Sequence, residues 1–261
     1  MNQPHHLPLA STSRAGDAAH LASADIAEVA HTLGADYRLV GGNAVTLLTY
    51  VHHVAHSVPA RETADADLGT RPEVIADPAL ATELASRGYV RPQGKRFTRT
   101  MPAEAGDLQL SVDVLAPSVT GRLETNTSIG GMVVDAIPAL TLALRMPPTT
   151  VTVEARLSID TGLTYTVNLP HVLAQLALKA HAFAGRKTQR DAIDIWRLAE
   201  AAREAGYGPT AWLAGATTRD THRLLRQHFT TPTGAGINAL RMTTGDAARV
   251  RLLVTRLLPP R

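Results

Sequence analysis

Three carboxylates stand where backbone alternation can bring them together. In Thr63-Ala64-Asp65-Ala66-Asp67-Leu68, an extended chain puts Asp65 and Asp67 on one face and Ala64, Ala66 and Leu68 on the other. In Leu108-Gln109-Leu110-Ser111-Val112-Asp113-Val114, the apolar residues share a face toward a core and Asp113 lies on the opposite one. If these strands are neighbours, Asp65, Asp67 and Asp113 converge. Such a cluster repels itself unless cations neutralise it. Hard divalent ions such as Mg²⁺ (or Mn²⁺), held by carboxylates plus substrate phosphates, are the natural solution. Two such ions can activate an attacking oxygen and stabilise a leaving pyrophosphate. Ahead of the acidic run, the apolar stretch Tyr37–Val40 stops at Gly41-Gly42 and a helical pattern follows through Val54. A glycine turn at a helix N-terminus lets phosphate approach backbone N–H groups, which makes Gly41, Gly42 and Asn43 a candidate anion site. Singly, a Gly-Gly pair is a turn and an Asp-x-Asp pair is surface decoration. Their order and spacing carry the reading.

Elements able to position these residues follow from apolar periodicity. Ile26, Val29, Ala30 and Leu33 recur at helical spacing between Ser23 and Leu33, and Pro78 begins a helical stretch that ends near Gly88. Strand-like runs lie around Arg96–Met101 and Leu108–Leu115, and residues 132–146 read as a strand and short helix stopped by Pro147-Pro148. Val151–Ile159 and Leu163–Val167 form a hairpin pattern around Thr161-Gly162. Asn168 then reads as an N-cap, with Pro170 in the first turn of a helix to about Ala184. A second helix spans Arg190 to Ala205, and helical segments continue to the C-terminus past a Pro/Thr/Gly loop at 230–236. The expected organisation is a disordered polar tail over 1–16, an α/β (α+β) core over 17–167, and a basic helical domain over 168–261.

The chain of 261 residues, 44% hydrophobic, is long enough for a substantial core and is not a disordered composition. It has no cysteine, which excludes disulfides, thiolate metal sites and a cysteine nucleophile. No stretch of about 20 apolar residues and no signal peptide occurs, so no membrane association is expected and a cytoplasmic setting is. The net charge of +3 is unevenly spread: residues 1–130 carry 10 Lys/Arg against 14 Asp/Glu, and residues 131–261 carry 16 against 9. An acidic half joined to a basic half suits an enzyme that holds metal with one and a polyanion with the other. Arginine outnumbers lysine 23 to 3, a bias of the kind a GC-rich genome produces.

Taken together, Leu39-Val40-Gly41-Gly42-Asn43-Ala44-Val45, Arg61-x-Thr63-x-Asp65-x-Asp67-Leu68 and Val112-Asp113-Val114 resemble the polymerase-β-type nucleotidyltransferase superfamily. With Lys179 and Arg190-Asp191-Ala192-Ile193-Asp194-Ile195 added, the chain looks like the AbiEii-type branch (the MenT-like group), toxin enzymes of bacterial toxin–antitoxin pairs. The resemblance covers roughly residues 25–200. It implies that Asp65 and Asp67 bind metal, that Asp113 completes the triad or serves as base, and that Lys179 and Asp191 belong to the nucleotide site. It also implies an NTP substrate, tRNA modification at a 3′ end and a cognate antitoxin. Many relatives carry serine or threonine near the glycine turn where Asn43 stands here.

Read from the residues alone, Lys179 sits at the edge of the apolar stripe Leu169, Val172, Leu173, Leu176, Ala180 and Phe183, able to reach a triphosphate or to snorkel to solvent. Asp191 and Asp194 share a helix face, where acidic residues complement the helix dipole; Asp191 is expected in the site and Asp194 in a structural role. His52 and His56 have i,i+4 spacing but lack a third ligand, so they are expected on a solvated helix face rather than on zinc. Arg219, Arg223 and Arg226 fall at helical spacing, as do Arg249 and Arg256, a face suited to an RNA backbone or simply to solvent. Two rival functions remain open at this stage. One is nucleotidyl transfer to an aminoglycoside-type small molecule; the other is a non-catalytic nucleic-acid-binding or antitoxin-like module, which has no use for three converging carboxylates.

Overall fold

A computed structural model of the protein describes residues 3–104 and 106–260. Strand β6 (Leu108–Pro117) is its organising element, because Leu108, Leu110, Val112 and Val114 alternate into the core and are buried. Each such side chain contributes roughly 1.5–3 kcal/mol on burial. β3 (Asp65–Thr70) runs parallel to β6 on one side, with Asp67 opposite Asp113. β2 (Tyr37–Val40) lies antiparallel to β3, with Val40 opposite Asp67. On the other side of β6, β5 (Arg96–Met101) is antiparallel, with Arg96 opposite Asp113, and β4 (Val90–Gln93) forms the edge. β8 (Met132–Ile137) runs parallel to the end of β6, Leu115 facing Asp135, and pairs with β7 (Glu124–Ile129) to complete seven strands.

Helices pack around this mixed sheet. α1 (Arg14–Thr32) is capped by Ser13, whose side chain accepts from Gly16 N–H, and α2 (Gly41–Val51) leaves β2 directly. The short α3 (Pro72–Ala76) and α4 (Pro78–Ser86) follow β3, and α5 (Leu140–Arg145) follows β8 and stops before Pro147. The hairpin of β9 (Thr149–Arg156) and β10 (Gly162–Leu169) forms as its alternation predicted. α6 (Val172–Arg186) and α7 (Gln189–Glu204) then pack on each other and on α2. α8 (Ala216–Phe229), α9 (Ala235–Leu240) and α10 (Thr244–Leu257) finish the chain.

Three expectations change. Residues placed in a disordered tail instead make β1 (His5–Ala10), which runs parallel to β9 in a three-stranded sheet, and α1 starts at Arg14. The polar His5-His6 hid a strand whose Leu7 is buried. Asn168 is not an N-cap; it lies near the end of β10, where Thr150 donates to its Oδ1 at 2.9 Å, and His171 caps α6 through Nδ1. His52, His53 and His56 do not share a helix face, because α2 stops at Val51, and among the described residues no group of His, Asp or Glu is arranged to hold a metal ion. Among them, too, no helix is long and apolar enough to cross a membrane.

Candidate active site

Strands β3, β5, β6 and β8 and the helices α6 and α7 enclose a cleft of about 550 Å³. Asp65, Asp67 and Asp113 line it together, as register requires: Asp67 and Asp113 are cross-strand neighbours and Asp65 lies two residues back on the same face. Asp135 of β8 lines the same wall, a fourth carboxylate that the sequence reading missed. Val133-Val134-Asp135-Ala136 alternates as Val112-Asp113-Val114 does, so the signal was present.

Gly41 and Gly42 line the cleft, as an anion site requires, and they also make room for neighbouring side chains. Gly41 adopts a left-handed φ of +75°, and a Cβ there would stand 1.7 Å from Asp67 Oδ2. A Cβ on Gly42 would stand 2.4 Å from Arg61 Nη1. The missing side chains therefore make room for the chain's own carboxylate and guanidinium. Gln175 of α6 fixes the turn by donating from Nε2 to the Gly41 carbonyl at 3.0 Å, while its buried Oε1 finds no donor among the described residues. Asn43 faces the other way. It is buried against α1, donating to Ser23 Oγ at 2.7 Å, and does not line the cleft, which corrects its expected role in anion binding.

Burial pushes the Asp67 carboxyl up to about 6, Asp113 and Asp65 add to the rise, and Lys179 and Lys95 oppose it. No described residue donates a hydrogen bond to Asp67. Asp113 is held differently: Arg96 grips both oxygens, Nε to Oδ1 at 2.9 Å and Nη2 to Oδ2 at 3.0 Å, and reaches Asp65 Oδ2 at 3.3 Å. Lys95 pairs with Asp135. Neither cation was singled out from sequence, although both follow the Gly94 turn at the start of β5, where Arg96 stands opposite Asp113.

The opposite wall is cationic. Asp194, fully buried, collects Lys179 Nζ at 2.8 Å, Arg61 Nη1 at 2.9 Å and Arg197 Nη1 at 3.7 Å. This is the structural role expected for it. Asp191 accepts from Arg186 at 2.9 and 3.1 Å and from Thr188 Oγ1 at 2.7 Å, with Lys179 at 3.9 Å. Burial pushes the Asp191 carboxyl up, but those two hydrogen-bonding partners and Lys179 outweigh it and hold it below its usual value. Lys179 and Asp191 thus lie in the cleft as the motifs implied, joined by Arg61, Gln175 and Arg186. Gln175, Leu178, Lys179, Ala182 and Arg186 form a stripe one turn apart along α6, partly polar, that the apolar pattern of that helix obscured.

The two walls have opposite charge. Four carboxylates (Asp65, Asp67, Asp113, Asp135) face two cations (Lys95, Arg96) on the strand side. On the helix side four cations (Lys179, Arg61, Arg186, Arg190) line the cleft with one carboxylate (Asp191), while Asp194 and Arg197 lie buried behind them. The donor set on the strand side is three to four hard carboxylates, which fits a magnesium-class ion, provided Arg96 gives up the oxygens it holds. Arg61 keeps a buried Nε without an acceptor among the described residues, a spare donor on the cationic wall that fits a polyanion.

No curated protein matches this sequence. Among solved structures, one that matches is an antigenic nucleotidyltransferase-like protein from Paracoccidioides brasiliensis, 14% identical, with a TM-score of 0.48 over 94% of this chain and 95% of that one. The family model described as nucleotidyl transferase AbiEii toxin, type IV TA system, matches residues 27–247, a span that contains the glycine turn, the acidic strands, Lys179 and Asp191. The chain belongs to this family and is a nucleotidyltransferase of the AbiEii toxin group.

Proposed function

We propose that the protein transfers a nucleoside monophosphate from an NTP to the hydroxyl of a tRNA 3′ end, with Mg²⁺ or Mn²⁺ held by Asp65, Asp67 and Asp113, and that a cognate antitoxin restrains it. The observation that carries this reading is the charge division of the cleft, since a metal–triphosphate complex presents cations at one side and surplus phosphate charge at the other. The acceptor oxygen forms a bond to the α-phosphorus, the bond to the bridging oxygen breaks, and pyrophosphate leaves. A bound divalent ion would supply Lewis acidity toward the acceptor oxygen and the leaving phosphates. Lys179 and Arg61 bind the triphosphate end, with Asp194 fixing both cations from behind. Arg186 and Asp191 orient each other at the rim. Gly41, held by Gln175, keeps Asp67 at the cleft floor. Arg96 bonds to both Asp113 oxygens, so Asp113 becomes fully available to a metal ion or the acceptor hydroxyl only on release of that contact.

Incubation with each labelled NTP, Mg²⁺ or Mn²⁺ and total tRNA tests the proposal. The expected result is label on RNA with at least one NTP, dependent on metal and lost in Asp65→Ala and Asp67→Ala variants that remain folded. Label on an amino-alcohol antibiotic instead of RNA replaces the acceptor. Full activity in either variant overturns the site.

A further inference from the structure

We propose that Arg96 is the built-in countercation of the carboxylate cluster, a positioning residue that holds Asp113 and Asp65 in the metal-free protein and must release them before a divalent ion can bind. The inference rests on the metal reading above and adds a residue to it. Its basis is geometric. The β5–β6 register places Arg96 directly opposite Asp113, and its guanidinium uses both oxygens of that carboxylate while touching Asp65 on the far strand. A planar fork that engages a carboxylate bidentately takes one lone pair on each oxygen and sets a positive charge where a metal would bind.

The same contacts explain how the fold tolerates the cluster. Asp67 and Asp113 face each other across neighbouring strands, and Arg96 supplies charge to Asp113 and Asp65 but none by hydrogen bond to Asp67. Arg96 is nevertheless built to leave. Its side chain is 45% exposed, whereas Lys179, a cation on the opposite wall, is 8% exposed and locked on Asp194. A side-chain rotation clears Arg96 without disturbing the core.

Two quantitative consequences follow. The apparent metal affinity of the free protein is lowered by the fraction of time Arg96 occupies the carboxylates. An NTP, whose phosphates offer the guanidinium another partner, relieves that competition, so nucleotide and metal reinforce each other's binding.

The experiment titrates Mn²⁺ into the full chain without nucleotide, following free Mn²⁺ by its paramagnetic resonance signal, for the parent, Arg96→Met, Lys95→Met and Asp67→Asn. Arg96→Met is expected to bind Mn²⁺ at least tenfold more tightly than the parent. Lys95→Met removes an adjacent positive charge that rests on Asp135 and should change affinity far less. A non-hydrolysable NTP analogue should narrow the gap between Arg96→Met and the parent. If Arg96→Met binds no tighter while Asp67→Asn abolishes binding, the role of Arg96 falls and the metal site stands. If Lys95→Met tightens binding equally, the effect is general charge removal and the proposal also falls. If no form binds Mn²⁺ even with nucleotide, the metal reading fails and this inference with it. Thermal melts of each variant confirm that a folded protein is being compared.

Discussion

Replacing Asp67 by asparagine should stabilise the metal-free protein, and the size of the gain follows from its surroundings. Its carboxyl is raised from 3.8 to about 6, by burial first and then by Asp113, with Lys179 pulling the other way and Asp65 adding to the rise. The folded state therefore holds this proton more tightly than the unfolded chain does. Stability from the protonated form is fully present below pH 3.8, declines as pH rises, and is lost above pH about 6. At ~1.36 kcal/mol per pH unit the ionised carboxylate costs at most about 3 kcal/mol. The side chain faces the open cleft, so solvent screening lowers this to about 1–2 kcal/mol. Asparagine is isosteric and neutral, and should recover that amount at pH 8. For a chain of this size the gain is roughly 2–6 °C in Tm.

The assay is thermal unfolding in EDTA at pH 4 and pH 8. At pH 4 most Asp67 is protonated in the folded protein and the two proteins should melt close together. At pH 8 the asparagine variant should melt higher. Added Mg²⁺ should raise the parent's Tm by mass action and leave the variant behind. A variant that melts lower at pH 8, or a gap that does not change with pH, refutes the account of Asp67 as a partly buried, under-compensated charge.

Gly41→Ala should abolish Mn²⁺ binding and cost about 1–3 kcal/mol, since its Cβ would meet Asp67 Oδ2 at 1.7 Å. Gly34→Ala, also at positive φ but with nothing within 4 Å, should leave metal binding untouched in the same titration. Lys179→Met should weaken NTP binding at least tenfold, about 1.4 kcal/mol, in a calorimetric titration, while Arg61 keeps Asp194 paired and the protein folded. Glu200 is buried, which pushes its carboxyl up, but hydrogen bonds from Arg249 and Arg203 outweigh this and hold it below its usual value. Its contribution is thus present above pH 4.5 and lost on acidification, and Glu200→Gln should lower Tm at pH 7 and flatten the acid limb of the stability profile. Arg219→Gln with Arg223→Gln should flatten the salt dependence of RNA binding by about 0.7 to 0.9 log units for each phosphate no longer neutralised, read by filter binding, with NTP affinity unchanged.

The acidic triad was legible because strand alternation is a two-residue code: once β3 and β6 are adjacent, residues 65, 67 and 113 must share a face. Lys179 and Asp191 were legible as motif positions and stand in the cleft. Their internal partners were not. Nothing local in the sequence says that Arg96 lies opposite Asp113, because that depends on the register of a β5–β6 pair joined through a loop. Asn43 misled because its place beside the glycine turn suggests an anion contact, whereas the helix turns it toward Ser23 of α1. The C-terminal arginine face is smaller than its helical spacing suggests, because tertiary partners claim part of it. Arg249, though exposed, is drawn onto buried Glu200, Arg226 donates to the Pro259 carbonyl and Arg223 lies 3.6 Å from Asp220, so Arg219 and Arg256 are the exposed cations of that set with no ion-pair partner among the described residues. β1 was missed because its pairing partner, β9, lies about 145 residues away, beyond any local pattern.

The two walls of the cleft solve one physical problem in different ways, and the difference determines which side chain moves when substrate arrives. Breaking a buried ion pair by removing one partner costs about 3–5 kcal/mol. Exposed pairs are worth about 0–1 kcal/mol. Lys179 and Asp194 are both buried, and Asp194 is further tied to Arg61 and Arg197. This wall is therefore fixed in advance and greets the triphosphate without rearrangement, as electrostatic preorganisation requires. The pair of Arg96 with Asp113 joins a buried carboxylate to a half-exposed guanidinium, so only one partner is stranded on separation, and an incoming divalent ion takes the vacated place. The cationic wall is a socket and the acidic wall is an exchange site. If Arg96 exchanges with metal as proposed, such a cleft admits metal and nucleotide together more readily than either alone, and the transferase commits its carboxylates only once its substrate is bound.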